Sequence, residues 1–265
     1  MVRLISTSSK GLMVEKKLKK ASGSKNKDSI AVVLDPGKQC QDILGFGAAF
    51  TDAACYMIHQ LDEDDRKEFL QRIFSKGGDR FNVCRTTVAQ SDYGRVCYSY
   101  NDTPGDMEMK NFSIDYDREY IIPIIREARE LNPDMFLLSS TWSPPGWMKT
   151  GGSMYGGWMR REYLEAYARY YVRYLQEYAA AGIRIDAITA QNETETDQLG
   201  RMPASLMHPG FEMAFIRDYF VPLLKKHGID AKVWIMDHNY IMWKRAKWML
   251  DDPDFKTYVD GVAFH

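Results

Sequence analysis

Along most of the chain, short apolar runs alternate with longer stretches in which apolar residues recur every three or four positions. From Arg3 to about Leu34 the runs are short. They are separated by the polar stretch Ala21-Ser22-Gly23-Ser24-Lys25-Asn26-Lys27-Asp28, a pattern that predicts two or three β-strands joined by a hairpin loop. After Pro36 the pattern changes, and strands are expected at Ile43 to Phe50, Phe81 to Ala89, Met135 to Thr141, Ile183 to Gln191, Lys232 to Met236 and Gly261 to His265. Helical spacing fills the intervals. The clearest helix runs from Arg161 to Ala181, where Leu164, Tyr167, Ala168, Tyr171, Leu175 and Tyr178 form one stripe and Gly182 supplies the stop. Similar spacing predicts helices over Asp117 to Leu131 and Phe211 to His227, the latter closed by Gly228. The tyrosine stripe is expected to be core before it is a binding platform.

Strands that alternate with helices imply βα units around a parallel sheet. The expected class is α/β, a (β/α)8 TIM barrel of which six strands are present, preceded by a β appendage. Residues 1–40 then form a β-strand segment of a side domain, and residues 41–265 a TIM-barrel domain that stops after its sixth strand, two short of closure. A doubly wound sheet is the alternative, and it would carry a G-x-G-x-x-G loop after its first strand. Here that strand ends Gly45-Phe46-Gly47-Ala48-Ala49-Phe50-Thr51-Asp52, which lacks the third glycine and sets a carboxylate where a pyrophosphate would sit.

Composition narrows the partners. A chain of 265 residues with 45% hydrophobic content can bury a substantial core, while a formal charge of -1 offers no basic surplus for a nucleic acid backbone. The N-terminus lacks the apolar run of a signal peptide and no stretch reaches the length of a membrane span, so a cytoplasmic protein without stable membrane insertion is the default expectation. Lys16, Lys17, Lys19 and Lys20 alternate with Val14 and Leu18 in the manner of a solvated strand face. Cys40, Cys55, Cys84 and Cys97 show no C-x-x-C pairing and are expected to be reduced and mostly buried.

In an α/β barrel the working residues sit at the C-terminal ends of the strands. Each end here carries polar groups that strand propensity does not explain: Asp52, then Gln90-Ser91-Asp92, Trp142-Ser143-Pro144-Pro145-Gly146-Trp147, Gln191-Asn192-Glu193, Asp237-His238-Asn239, and His265. The set has no metal-ligand pattern, and no cofactor is expected. It suits a polyhydroxylated substrate, because amides and carboxylates bond hydroxyls while indole faces stack on sugar C–H surfaces. Glycoside cleavage needs a proton donor and a second carboxylate, and Glu193 beside Asn192 supplies the donor. Taken alone, Asp52 fits an N-cap as well as a ligand, and Trp142 fits a core aromatic.

Three segments carry a resemblance: Gly45 to Ala54 (GFGAAFTDAA), Ser140 to Lys149 (STWSPPGWMK) and Thr189 to Glu193 (TAQNE). With Tyr98 to Asp106 and Asn111-Phe112-Ser113, they make the chain from about Ile30 onward resemble glycoside hydrolase family 30, the family of lysosomal glucosylceramidase and its bacterial relatives. The resemblance implies a retaining β-glycosidase acting on a β-glycoside or glycolipid, with Glu193 as general acid/base and Asn192 bonding the sugar 2-hydroxyl. It also implies that Asp52 and Trp142 hold the far hydroxyls, and that His265 lies at the floor of the site. Two departures stand out. Thr194 follows the Asn-Glu pair where many members have proline, and the family's nucleophile, a glutamate at the end of strand seven, is expected beyond His265. A chain without that strand is expected to be inactive by itself. The alternatives are a non-catalytic carbohydrate-binding or pseudoenzyme module, a related β-xylosidase or β-1,6-glucanase, and a barrel of another acid-clan family.

Overall fold

The computed structural model describes residues 4–17, 30 and 32–265. They fall into two units, Met1–Ile43 and Leu44–His265. In the first, strands β1 (Leu4–Ser8) and β2 (Gly11–Lys16) pair antiparallel, with Leu4 opposite Lys16 and Ile5 opposite Glu15. Their connection is Ser9-Lys10, so the hairpin turns earlier than the expected loop at Ala21 to Asp28, which lies outside the described residues. Leu18, Lys19 and Lys20 lie outside them as well.

In the second unit β3 (Ala49–Phe50), β4 (Val83–Thr87), β5 (Phe136–Ser140), β6 (Ala187–Thr189), β7 (Lys232–His238) and β8 (Gly261–Phe264) form a 6-stranded sheet in sequence order. All pairings are parallel. This is the sheet of a partial (β/α) barrel, with helices α1 (Asp52–His59), α2 (Glu63–Phe74), α3 (Ile121–Leu131), α4 (Leu164–Ala180), α5 (Pro209–Ala214), α6 (Val221–His227) and α7 (Trp243–Leu250) along its connections. All six expected strands are present, most of them shorter than their apolar runs. The first shrinks most. A Cβ at Gly47 would lie 1.8 Å from Val83 O, so the chain passes β4 too closely there for any side chain. Strand β7 runs two residues further than its apolar pattern, and its pairing with β8 shifts between Met236 and His238.

The stripe of α4 packs as core. Tyr167, Tyr170, Tyr171, Tyr174 and Tyr178 are fully buried, and Tyr171 meets Phe215 and Phe220 at ring-centroid distances of 5.5 and 5.3 Å. Helix α4 stops at Gly182, which takes the left-handed φ of 79° that glycine adopts without strain. The expected single helix from Phe211 to His227 is instead α5, a π-helical segment Phe215–Phe220, and α6. Pro222, at the start of α6, has no N–H to give an α-helical bond and its ring crowds the carbonyl one turn back, which accounts for the widened turn.

Helix α3 begins at Ile121, not Asp117. Asp117 is buried and serves a different purpose. Its carboxylate accepts from the hydroxyls of Tyr98 (2.7 Å), Tyr178 (2.5 Å) and Tyr100. Burial pushes its pKa up to about 6, against the opposing pull of these donors. Cys55 and Cys84 are buried, whereas Cys40 and Cys97 are exposed, which corrects the expectation of mostly buried thiols. Among the described residues, no helix is long and apolar enough to cross a membrane.

Candidate active site

Strand β6 lies between β5 and β7, and the residues after it continue both ladders. Asn192 N–H donates to Thr141 O at 2.7 Å, and Glu193 N–H donates to Asp237 O at 2.9 Å. To turn between those partners, Glu193 adopts φ 51° and Asp237 φ 49°. Neither residue is a glycine. Left-handed backbone in such residues costs on the order of 1–3 kcal/mol each and persists only where surrounding bonds enforce it.

The side chains converge on Arg85, a charged residue within β4. Its Nη2 donates to Asn192 Oδ1 and to Asp237 Oδ2, both at 2.7 Å, and its guanidinium lies 4.6 Å from the ring centroid of Trp142. Asp237 Oδ2 also accepts from Thr189 Oγ1 at 2.7 Å and from the Ser140 hydroxyl. One buried carboxylate therefore ties β4, β5, β6 and β7 together. It compensates Arg85 and is occupied as an acceptor.

Trp142 is 8% exposed yet stands outside the contiguous apolar core. Its carbonyl accepts from Gln191 Nε2 at 2.5 Å, and its ring faces Arg85. Lys149, seven residues on, is buried and donates to Ser143 Oγ (2.8 Å), Met154 O (2.8 Å) and Ala204 O (2.6 Å). With no carboxylate among these partners, burial pushes its pKa down to about 7. The ammonium joins the loop after β5 to the loop after β6.

His265 follows β8 directly. Its Nε2 lies 3.0 Å from Asp237 O, the oxygen that Glu193 N–H also reaches. The neighbouring His238 is 7% exposed and its Nδ1 has no partner among the described residues. Burial lowers the pKa of that imidazole and favours the neutral ring.

Asp52 bonds a different set of side chains. Thr51, not Asp52, caps α1, its hydroxyl accepting from Ala54 N–H at 3.2 Å. The Asp52 carboxylate accepts from Arg95 N–H (2.8 Å), Arg95 Nε (3.0 Å), Arg95 Nη2 (3.0 Å) and Tyr116 OH (3.3 Å). Arg95 is in turn sandwiched against Tyr56 and Tyr120, 4.3 and 4.4 Å from their ring centroids. No hydrogen bond joins Asp52 to Asn192 or Glu193 among the described residues, and β3 is three positions from β6 in the sheet.

Glu193 itself is half-buried. Its Oε2 accepts from Gln198 Nε2 at 2.5 Å. The loop beyond is anchored by buried Arg245, which pairs with Glu212 at 2.7 Å, with Glu195, and with Met207 O at 2.7 Å. Arg85, Arg95, Lys149 and Gln198 were not legible as site residues in the sequence. Only Arg85 left a signal, a lone charge inside the run Phe81 to Val88 where strand periodicity asks for an apolar residue.

The parallel βα sheet gathers a carboxyl, amides, an indole and an imidazole at its strand ends, the position of the working site in a TIM barrel. The glycosyl hydrolase family 30 TIM-barrel domain matches residues 43–265. The endo-1,6-beta-D-glucanase of Neurospora crassa is 32% identical over 258 residues, 92% of this chain and 52% of the glucanase. The lysosomal acid glucosylceramidase of Mus musculus is 32% identical over 246 residues, 89% of this chain and 48% of that protein. Among solved structures, SrfJ from Salmonella typhimurium superposes with a TM-score of 0.87 at 30% identity, covering 99% of this chain and 60% of SrfJ. The chain belongs to glycosyl hydrolase family 30, and it spans about half the length of the curated relatives it matches.

Proposed function

We propose that the full-length protein is a retaining β-glycosidase in which Glu193 is the general acid/base. The observation that carries this reading is the seating of Glu193, a half-buried carboxyl at the end of β6 directly after the buried Asn192, in a chain of family 30. In the first step Glu193 gives its proton to the glycosidic oxygen as the bond from that oxygen to C1 breaks. A second carboxylate, which the resemblance assigns to a strand following β8, bonds to C1. In the second step Glu193 takes a proton from water, whose oxygen attacks C1 and releases the carboxylate.

The remaining residues bind. Asn192 Oδ1 is held by Arg85, which leaves the Asn192 amide N–H groups for the 2-hydroxyl of the sugar. With Nε2 turned to Asp237 O, His265 offers Nδ1 to a hydroxyl. Asp52 Oδ1 accepts one bond from Arg95 and keeps a lone pair for a far hydroxyl, alongside Trp142. The substrates to try first are β-glucosides, glucosylceramide and β-1,6-glucan, because relatives named for the latter two are each 32% identical to this chain.

The test is Glu193→Gln in the full-length protein. Turnover of an alkyl β-glucoside should fall about 10²- to 10⁴-fold, the usual contribution of a positioned proton donor. Near-normal turnover of that unactivated glycoside would remove Glu193 from the mechanism.

A further inference from the structure

We propose that Gln198 is a positioning residue for the Glu193 carboxyl, holding Oε2 so that Oε1 carries the proton to the leaving group. The inference rests on Glu193 being the proton donor, and it begins with how the loop is built. Gln198 and Leu199 both lie in the left-handed region, at φ 53° each, and neither is the glycine or asparagine that tolerates it most easily.

The turn is closed without the Gln198 side chain. Leu199 N–H donates to Asp197 Oδ1 at 3.0 Å, Gly200 N–H to Asp197 O at 3.0 Å, and Arg201 N–H to Gln198 O at 3.1 Å. Gln198 N–H is itself satisfied by Thr196 Oγ1 at 3.1 Å. The only hydrogen bond the Gln198 carboxamide makes among the described residues is from Nε2 to Glu193 Oε2, at 2.5 Å. A long amide at a strained position, idle in the turn and spent on one carboxylate oxygen, is there for that oxygen.

The loop is fixed from both sides. Glu195 pairs with buried Arg245, Met207 N–H donates to Thr194 O at 3.0 Å, and Ala204 O accepts from Lys149 Nζ at 2.6 Å. A donor so held keeps the carboxyl in one rotamer. Glu193 Oε1 has no protein partner among the described residues, so it is the oxygen left to hold the transferable proton. As that proton leaves, the carboxyl gains charge and the amide bond becomes charge-assisted, so its strength grows toward the transition state. Interactions of that kind support kcat more than substrate binding.

The experiment compares Gln198→Leu and Gln198→Asn in the full-length protein, with an alkyl β-glucoside and with 2,4-dinitrophenyl β-glucoside. Asparagine accepts the left-handed backbone but is one methylene too short to reach Glu193, so it separates the turn from the contact. Both variants should lower kcat for the alkyl glucoside about ten- to hundredfold, the loss expected for one hydrogen bond to a charged group, with KM little changed. The first step on the dinitrophenyl glucoside needs no proton, so that step should slow far less.

Equal losses on both substrates together with a lowered melting temperature would make Gln198 a structural turn residue and overturn the proposal. An unchanged kcat in Gln198→Asn would do the same. Glu193→Gln measured alongside keeps the two readings distinct: if that variant retains alkyl glucoside turnover, it is the acid assignment that fails.

Discussion

The backbone N–H of Glu193 donates to the carbonyl oxygen of Asp237 at 2.9 Å, which fixes the proposed proton donor to the neighbouring strand by main chain alone. Both residues lie in the left-handed region. The same carbonyl faces His265 Nε2 at 3.0 Å, so the ends of β6, β7 and β8 share one oxygen. The side chain of Glu193 is thereby not needed to anchor the residue, and Gln198 holds one of its oxygens.

Retention of configuration is expected of the full-length protein. In retaining glycosidases the two carboxyl groups stand about 5 Å apart, too close for water to enter between them. Proton NMR of the first sugar released from a β-glycoside should show the β-anomer, and initial release of the α-anomer would contradict the mechanism.

Arg85→Met should destabilise the protein by about 3 kcal/mol, because it strips the 3% exposed Asp237 side chain of its compensating charge. Urea denaturation at neutral pH reads the loss. Arg85→Met combined with Asp237→Leu should cost less than the sum of the two single changes, since the double variant leaves no buried charge unpaired.

Trp142→Ala should weaken binding of a sugar-like inhibitor by roughly 1–3 kcal/mol, the value of one aromatic contact plus a hydrogen bond. Calorimetric titration gives the affinity and a thermal melt gives the stability. A lowered melting temperature with unchanged affinity would make Trp142 structural.

Asp117 should give the fold a pH signature. Its pKa is raised from the ordinary 3.8 to about 6 in the folded state. Below pH 4 both folded and unfolded chains hold the proton; between about 4 and 6 only the folded chain does. The contribution is therefore fully present at low pH and is lost as pH rises through 6, a decline worth about 3 kcal/mol. Asp117→Asn removes the titrating group, so the stability difference between wild type and variant should change across pH 4 to 6 and level off above it. A difference that stays flat with pH would show that the tyrosine hydroxyls hold Asp117 ionised throughout.

The class of fold and the order of its chemistry along the chain were legible from local pattern. Apolar periodicity is local, so six strands and the buried stripe of Tyr167, Tyr171 and Tyr178 were legible from spacing, as was the placement of Asn192 and Glu193 at a strand end. Strand lengths were less so. Hydrogen-bonded pairing depends on the neighbour, and residues 43–48 read as strand until Gly47 is seen pressed against Val83 O.

The partners emerged only in the folded chain. Arg85 meets Asp237 across 152 residues and Asp52 meets Arg95 across 43, and nothing local in a sequence records such pairings. Asp117 shows the same limit. Its position fits a helix start, yet burial beside Tyr98, Tyr100 and Tyr178 drew its carboxylate inward and moved the start of α3 to Ile121. Gln198 is the sharpest case, an ordinary polar loop residue by sequence. Its reach to Glu193 exists because two left-handed residues turn the chain back on itself, in a loop that Thr196 and Asp197 close locally and that Arg245 and Lys149 hold on either side.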